Sequence, residues 1–395
     1  MHASIAFFMG LWSACGGLCA QREWVVDKLN RPGTHFLDFP PALQAAADGD
    51  RIVLRSDPVT GGARYTGADI AKAVTLLGEG AEPILLDKGT AGCIVSNIPF
   101  GKTLRMSHVR LHSVTTFANC AGQIHIDTMG SVRTLASALH FTGCASVTIV
   151  NSMNNGVGNL SAMKCVASNV AATSCTFQGA TVYSLSIPGS PGIEATSSQV
   201  TLNECIVKGG PGFMAWPLQP WPAILAQSSS LRISGVPNSR YYAGQNSLLT
   251  IHAIDTTGGS VILDPRTLVL DSNRNPEPVW GTAQVALVLQ PYLTCTSALR
   301  GSSFTLTLNG QAGDGYGTLV ALPAPPSSTP WGEWWLDAST LALLDLGTLG
   351  VTGTRALAIP LPASAAIAGL PLAFQTFAGQ GSSAMLTAAV VTVIQ

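Results

Sequence analysis

The sequence predicts an all-β protein, in which a parallel β-helix with an N-terminal capping helix is followed by a small antiparallel β-sandwich. The first observation is the order of segments near the start, where the amphipathic run PALQAAADGD precedes the β-rich segments RIVLRS and AVTLLGEG. The second is a loose repeat between residues 104 and 249. The third is a change of pattern after residue 271, to strands of period-two alternation separated by Gly, Pro and Ser turns.

Composition limits the classes of partner. The 395 residues suffice for one large or two medium domains. Charged residues make up only 10% of the chain, against roughly 25% in typical soluble domains. A formal net charge of −1 supplies no long-range field for polyanions. We therefore expect no nucleic-acid partner.

The first twenty residues, MHASIAFFMGLWSACGGLCA, have the apolar run and small-residue end of a secretory signal peptide. A lipid anchor at Cys15 and an uncleaved start are the alternatives. No later segment has 18 uninterrupted apolar residues, because prolines at 360, 362 and 371 interrupt the most hydrophobic stretch. We therefore predict a signal peptide over residues 1–20, no transmembrane segment, and a secreted or cell-surface protein.

A repeat of coil length follows. The segments SVTIVNSMNNG, NVAATSCTFQG, QVTLNECIVKG and SLRISG share alternating apolar residues and usually a polar corner and a closing small residue. Their apolar anchors Val147, Val170, Val200 and Leu231 are separated by 23, 30 and 31 residues. Such spacing fits one coil of a parallel β-helix per repeat, with longer intervals accommodated as loops. Residues 21–272 are therefore predicted to form the β-helix.

Two cysteines align in this repeat. Seven cysteines remain after the predicted leader, so at least one is unpaired within a monomer. Cys175 and Cys205 occupy equivalent positions, and stacked strands about 4.8 Å apart would bring them within disulfide range. A buried ladder of free thiols and a disulfide between coils are both compatible with the sequence. The sequence contains no CxxC pair, so it gives no indication of a structural zinc site.

The remainder of the chain has a different pattern. Residues 273–290 are polar and Pro-rich at their start and are interpreted as a linker or domain edge. Residues 291–395 carry strands at intervals of about 10–15 residues, which predicts an antiparallel β-sandwich.

Two regions resemble known protein modules. The region 36–80 resembles the start of secreted bacterial right-handed parallel β-helix repeat proteins with the pectin-lyase-like fold. The tail from residue 302 resembles a small β-sandwich that often ends such exported proteins. The residues that carry the first likeness are Leu43, Ala46, Ala47, Gly49, Asp50, Ile52, Val53, Leu76, Leu77, Gly78 and Gly80, and those of the second are Trp335–Leu341, Leu346–Gly347, Leu361–Pro362 and Phe374–Gln375.

The resemblance implies an extracellular, carbohydrate-facing setting. Lyases of this fold class use clustered carboxylates for calcium and an Arg or Lys base. Here the acidic residues of the coils are sparse, and the NTD, DD and GHG elements of polygalacturonase-type hydrolases are absent. We therefore predict no cofactor and no metal site, with calcium implied only if a lyase activity is present.

Two polar groupings are the candidate catalytic residues. His125 and Asp127 alternate in the strand QIHID and are expected on one face, opposite two isoleucines. His140, Lys164 and Glu194 lie six or seven residues before successive anchors, so they should align as a column across coils. Such a column could bind or protonate a sugar hydroxyl. The alternative is an ordinary solvated row of polar side chains.

Aromatic residues supply the candidate ligand-binding site. The segment GGPGFMAWPLQPWPA carries Phe213, Trp216 and Trp221 among four prolines. Exposed Trp rings bind the apolar faces of sugars, but these rings could equally pack against the protein. The tryptophans of PWGEWWLD are interpreted as core and edge of the sandwich.

These patterns favour an exported, non-catalytic β-helix that binds extracellular or cell-surface polysaccharide or has a surface-structural role. The alternative is a polysaccharide lyase or hydrolase with an unrecognised site. A third interpretation is an assembly component whose C-terminal module docks to a partner. The oligomeric state is not predicted.

Overall fold

Parallel strands dominate residues 23–289 and antiparallel strands dominate residues 290–395, the two compact units into which the chain divides. The computed structural model describes residues 22–395, except for 60–61, 81–83, 113, 128–137, 157–158, 181–188, 212–220, 235–238, 246–250, 278, 297, 365–366, 368–369, 388 and 395. The predicted signal peptide therefore lies outside the described residues.

Besides one 3-10 helix (Gly89–Ala91), the described residues of the first unit form one short α-helix and 25 strands. In chain order these are β1 (Glu23–Val26), α1 (Phe39–Ala45), β2 (Arg51–Arg55), β3 (Arg64–Thr66), β4 (Thr75–Glu79), β5 (Ile84–Asp87), β6 (Cys93–Ser96), β7 (Thr103–Ser107), β8 (Val109–Leu111), β9 (Thr115–Ala118), β10 (Gln123–Asp127), β11 (Leu139–Thr142), β12 (Ser146–Val150), β13 (Met153–Asn155), β14 (Met163–Val166), β15 (Asn169–Thr173), β16 (Thr176–Gln178), β17 (Ile193–Thr196), β18 (Gln199–Asn203), β19 (Ile206–Lys208), β20 (Ile224–Ser234), β21 (Arg240–Tyr242), β22 (Ile254–Leu263), β23 (Leu268–Leu270), β24 (Trp280–Gly281) and β25 (Gln284–Leu287).

The strands stack in parallel as successive coils of the chain. The first stack contains β6, β9, β11, β14, β17, the beginnings of β20 and β22, and β24. The second stack runs from β1 through β2, β4, β7, β10, β12, β15 and β18 to the ends of β20 and β22 and to β25. A third set consists of β3–β5–β8 and β13–β16–β19–β21–β23. This all-β, largely parallel arrangement fits a parallel β-helix.

The register follows the predicted anchors. Val147 pairs with Val170, Val170 with Val200, and Val200 with Leu231, each one coil apart. All four are at most 1% exposed and belong to one continuous apolar core. The inward residues of the first stack include Phe117 and Phe141, which are in register and stacked with ring centroids 4.8 Å apart. The predicted repeat is therefore confirmed as a stacking register.

The corner between the first and second stacks repeats one backbone device. From β6 to β22, the residue after each first-stack strand segment has a left-handed φ, including Asn119 (54°), Gly143 (62°), Ala167 (47°) and Ser197 (50°). Where the next residue is a serine, its hydroxyl donates to the backbone carbonyl two positions earlier, as from Ser198 to Thr196 at 2.8 Å. The Ser198 Oγ also accepts from the backbone of the preceding coil, at 3.2 Å from the Ser168 nitrogen. These hydrogen bonds satisfy backbone groups at the corner, where strand pairing cannot.

Cysteines serve the same purpose in other coils. Cys144 donates to the Thr142 carbonyl at 3.7 Å, in the way that the serines do. At the corner that leads to the third set, Cys175 and Cys205 are buried free thiols on adjacent coils. Cys175 donates to the Thr173 carbonyl at 3.1 Å and Cys205 to Asn203 at 3.3 Å. Of the two alternatives from the sequence, the structure has the thiol ladder.

The helix α1 begins where Asp38 accepts a hydrogen bond from the nitrogen of Phe39 at 2.9 Å. Prolines occupy its first turn, where a missing N–H is tolerated. The helix buries Phe39, Ala42 and Leu43 and packs beside β1, β2 and β3. A helix near the start is thus present; its predicted function as the cap of the coil stack stays a prediction.

The second unit contains three antiparallel sheets. Its strands are β26 (Tyr292–Cys295), β27 (Ser303–Asn309), β28 (Gly315–Ala321), β29 (Pro323–Thr329), β30 (Gly332–Leu336), β31 (Ala342–Thr348), β32 (Thr354–Pro360), β33 (Pro371–Gly379), β34 (Met385–Leu386) and β35 (Val390–Val393). The sheets are β26–β27–β32, β31–β28–β33–β34 with β35 on β33, and the pair β29–β30. Phe304 and Phe374 meet in its core with centroids 5.6 Å apart.

The segment 273–290, interpreted from sequence as a linker or edge, contributes the strands β24 and β25. Both pair in parallel with β22, as Asp255 with Trp280 and Val261 with Val285. The segment therefore continues the first and second stacks by one more coil.

Candidate binding faces of the parallel-strand unit

The outward side of the first stack presents a column of half-buried and exposed side chains, here called the open column. Cα pairing places its members on consecutive coils: Thr116, His140, Lys164, Glu194, Leu225, Asp255 and Trp280. Parallel strands lie about 4.8 Å apart, so the five steps from His140 to Trp280 span about 24 Å. The predicted alignment of His140, Lys164 and Glu194 is thus present in the register.

Two neighbouring charged residues of the open column, Lys164 and Glu194, form an ion pair. The Lys164 ammonium donates to a Glu194 carboxylate oxygen at 2.8 Å, with the two side chains 38% and 30% exposed. Burial lowers the pKa of His140, and the Lys164 charge lowers it further, while Glu194 opposes both effects. His140 is therefore neutral at neutral pH, and its Nε2 is buried without a hydrogen-bond partner.

A second outward column accompanies the first. Because side chains alternate along a strand, residues two positions later face the same way. Thr142, Val166, Thr196, Gln227 and Thr257 follow one another across the coils, and all are half-buried or exposed. Hydroxyl and amide groups thus lie beside the charged groups of the open column. Together the two columns form a long polar surface with hydrogen-bond donors and acceptors.

Part of the outward side of the second stack is buried instead. Here we use the name buried polar array for Arg105, Ser107, His125, Asp127 and Thr148, which share this face on three consecutive coils. Arg105 is partly buried, and the other four are 2% exposed. The predicted pairing of His125 and Asp127 on one face is consistent with this register, and Ile124 and Ile126 lie in the core.

Several atoms of the array are buried without a hydrogen-bond partner: Arg105 Nε, both ring nitrogens of His125, Asp127 Oδ1 and Thr148 Oγ1. Burial lowers the pKa of His125 to about 3, and the nearby Arg105 charge contributes. Burial raises the pKa of Asp127 to about 7, although a hydrogen bond from Asn151 opposes the shift. At neutral pH the imidazole is neutral, and the carboxyl group is divided between its acid and its carboxylate.

Opposed pKa shifts on neighbouring groups are a property of acid–base sites. A carboxyl group with a pKa near 7 can give or take a proton at neutral pH. Each unpartnered buried polar atom also costs about 1–3 kcal/mol of stability. The array therefore holds one carboxyl group, that of Asp127, that can exchange a proton near neutral pH.

The aromatic ligand-site candidates are divided between the described and undescribed parts of the chain. Phe213 and Trp216 lie outside the described residues. Trp221 is half-buried. Its backbone nitrogen donates to the Gly210 carbonyl at 3.2 Å, and its backbone carbonyl accepts from the Gly244 nitrogen at 2.8 Å. A Cβ placed on Gly189 would lie 3.0 Å from the Trp221 ring, so this ring packs closely on a neighbouring backbone.

The described residues contain no group of three or more His, Cys, Asp or Glu side chains arranged for a metal ion. None of the helices in the described part of the chain is long and apolar enough to cross a membrane.

No protein-family model matches the chain, and no curated protein matches it.

The sequence interpretation missed the end of the open column. Trp280 was read as part of a linker, although it lies in register with Asp255. The signal was available, since Leu231, Val261 and Val285 continue the apolar anchors at intervals of 30 and 24 residues.

Proposed function

We propose that this protein is an exported right-handed parallel β-helix of the pectin-lyase-like class that binds extracellular or cell-surface polysaccharide without cleaving it. The observation that carries the proposal is the open column with the second outward column beside it, a largely polar surface that spans about 24 Å from His140 to Trp280. A straight array of donors and acceptors, repeated at each coil, suits an extended polymer better than a small molecule.

The chemistry of the surface supports this ligand class. Sugars offer hydroxyl groups that both donate and accept hydrogen bonds. Lys164 supplies donors, Glu194 supplies acceptors, and the neutral His140 supplies either according to its tautomer. Because the ion pair is partly exposed, it is worth little as a structural contact. Its exchange for sugar hydroxyls therefore costs little stability.

The test is affinity electrophoresis of the full chain through gels that contain soluble neutral or acidic polysaccharides. The test variant is Lys164→Met with Glu194→Gln, which removes both charges together. The control is Arg355→Met with Asp345→Asn, a surface ion pair of 2.9 Å in the second unit. We expect the first variant to weaken binding about tenfold, as for loss of two polar contacts, and the control to bind normally. Absence of binding to every polymer, or equal effects of the two variants, would overturn the proposal.

A second candidate function is polysaccharide lysis or hydrolysis at the buried polar array, favoured by the opposed pKa shifts of His125 and Asp127. The assay measures unsaturated products by ultraviolet absorption and new reducing ends, with and without calcium. Product that disappears in Asp127→Asn but persists in the Lys164 and Glu194 variant would support this candidate. Absence of product from any polymer that the protein binds would reject it.

A further inference from the structure

Trp280 is a large aromatic side chain left 56% exposed at the end of the open column. It lies on β24, in register with Asp255, and faces outward with the rest of the column. Tryptophan is rarely left so exposed, since its ring carries a large apolar surface. Exposure alone does not set Trp280 apart, since Trp331 is 51% exposed; what sets it apart is its place in the open column and the contacts that hold its ring.

The indole ring is held in one orientation. It stacks on the imidazole of His252 with the centroids 4.2 Å apart and an interplanar angle of 7°. The His252 Nδ1 lies 2.6 Å from a carboxylate oxygen of Glu277, which fixes the supporting ring. One face of the indole is thus covered by His252.

The backbone beneath the ring is also fixed. Thr256 donates from its hydroxyl to the Trp280 carbonyl at 2.9 Å. The next residue, Gly281, has φ 108°, and a Cβ there would lie 1.8 Å from the Thr256 carbonyl oxygen. Only glycine allows this close approach of the two chains. The ring is therefore presented from a rigid position.

We infer that Trp280 is a stacking platform for an uncharged pyranose ring at one end of the open column. The apolar C–H face of the sugar would lie on the free face of the indole, and Asp255 on the adjacent coil would accept from its hydroxyl groups. Because the ring is already oriented, binding orders few additional torsions. The carboxylates of Asp255 and Glu277 lie beside the platform, which disfavours an acidic sugar at this position.

This inference rests on the proposed function, and its test is chosen to separate the two. Affinity electrophoresis is run with hydroxyethyl cellulose as the neutral probe and polygalacturonate as the acidic probe. The variants of the full chain are Trp280→Ala, Trp280→Phe and, as a control, Trp331→Ala. Trp331 is 51% exposed, but it lies in the second unit.

We expect Trp280→Ala to weaken binding of hydroxyethyl cellulose about tenfold, Trp280→Phe to retain most of it, and Trp331→Ala to leave it unchanged. Trp280→Ala should lower the midpoint of thermal unfolding only slightly, through the loss of its stacking on His252, because the rest of the side chain is exposed. Binding by Trp280→Ala within about twofold of the native chain, or a preference for polygalacturonate, would overturn the inference. If only the Lys164 and Glu194 variant loses affinity, or if hydroxyethyl cellulose does not bind while another polysaccharide does, the inference fails and the proposed function stands. If no polysaccharide binds, both fail.

Discussion

The outward faces of the first and second stacks differ in exposure, although their strands alternate in the same way. On the first, Lys164 and Glu194 are half-buried and paired with each other. On the second, His125 and Asp127 are 2% exposed and have unpartnered atoms. Strand alternation decides only which side chains leave the core. Whether an outward side chain is exposed to water depends on the rest of the chain. That exposure decides the pKa of the side chain and its contribution to the free energy of unfolding.

The largest expected difference between the faces concerns Asp127. Its pKa in the folded protein is about 7, above the ordinary value of 3.8. The folded state is therefore less stable when the buried Asp127 carboxyl group is ionised than when it is protonated. Stability from Asp127 is fully present below pH 4 and is lost as the pH rises through 7. We expect Asp127→Asn to raise the free energy of unfolding at pH 8 by ~2–4 kcal/mol, and the gain to shrink toward pH 4.

Urea unfolding of both proteins from pH 4.5 to pH 8 measures this gain. Protonation of His125 affects both proteins alike, so it cancels in their difference. Glu194→Gln on the open column is the matched control. A gain from Asp127→Asn that does not change with pH would show that Asp127 is ionised throughout.

A smaller difference is expected for the two histidines. His125→Leu should raise the free energy of unfolding by ~1–2 kcal/mol at pH 7, because it removes two buried ring nitrogens that have no partner. His140→Leu, on the half-exposed face, removes one such nitrogen instead of two and should raise the free energy of unfolding by less, ~0.5–1 kcal/mol. Midpoints of urea unfolding give both values. Destabilisation by His125→Leu would mean that its ring nitrogens are satisfied in solution.

The smallest effect should come from the ion pair of the open column. A double-mutant cycle with Lys164→Met and Glu194→Gln should give a coupling energy of ~0–1 kcal/mol, reduced further by 1 M salt. A coupling well above this range would indicate a structural ion pair and weaken its assignment to ligand binding.

Particular residues show how far sequence reasoning reaches. The anchors Val147, Val170, Val200 and Leu231 predicted the stacking register, since an inward apolar position must recur once per coil. The same register carried His140, Lys164 and Glu194 into one column. Trp280 was missed because its strand has two residues and follows a Pro-rich segment, so local composition obscured the repeat.

Local sequence alone determined the strands, their alternation and their order, because period-two burial and coil length are properties of the chain itself. Tertiary structure alone decided that the face of His125 and Asp127 is buried while that of Lys164 and Glu194 is open. It also decided that Trp280 stacks on His252, 28 residues earlier in the chain. Exposure, pKa and ring stacking depend on neighbours that are distant in sequence, and only the folded chain brings them together.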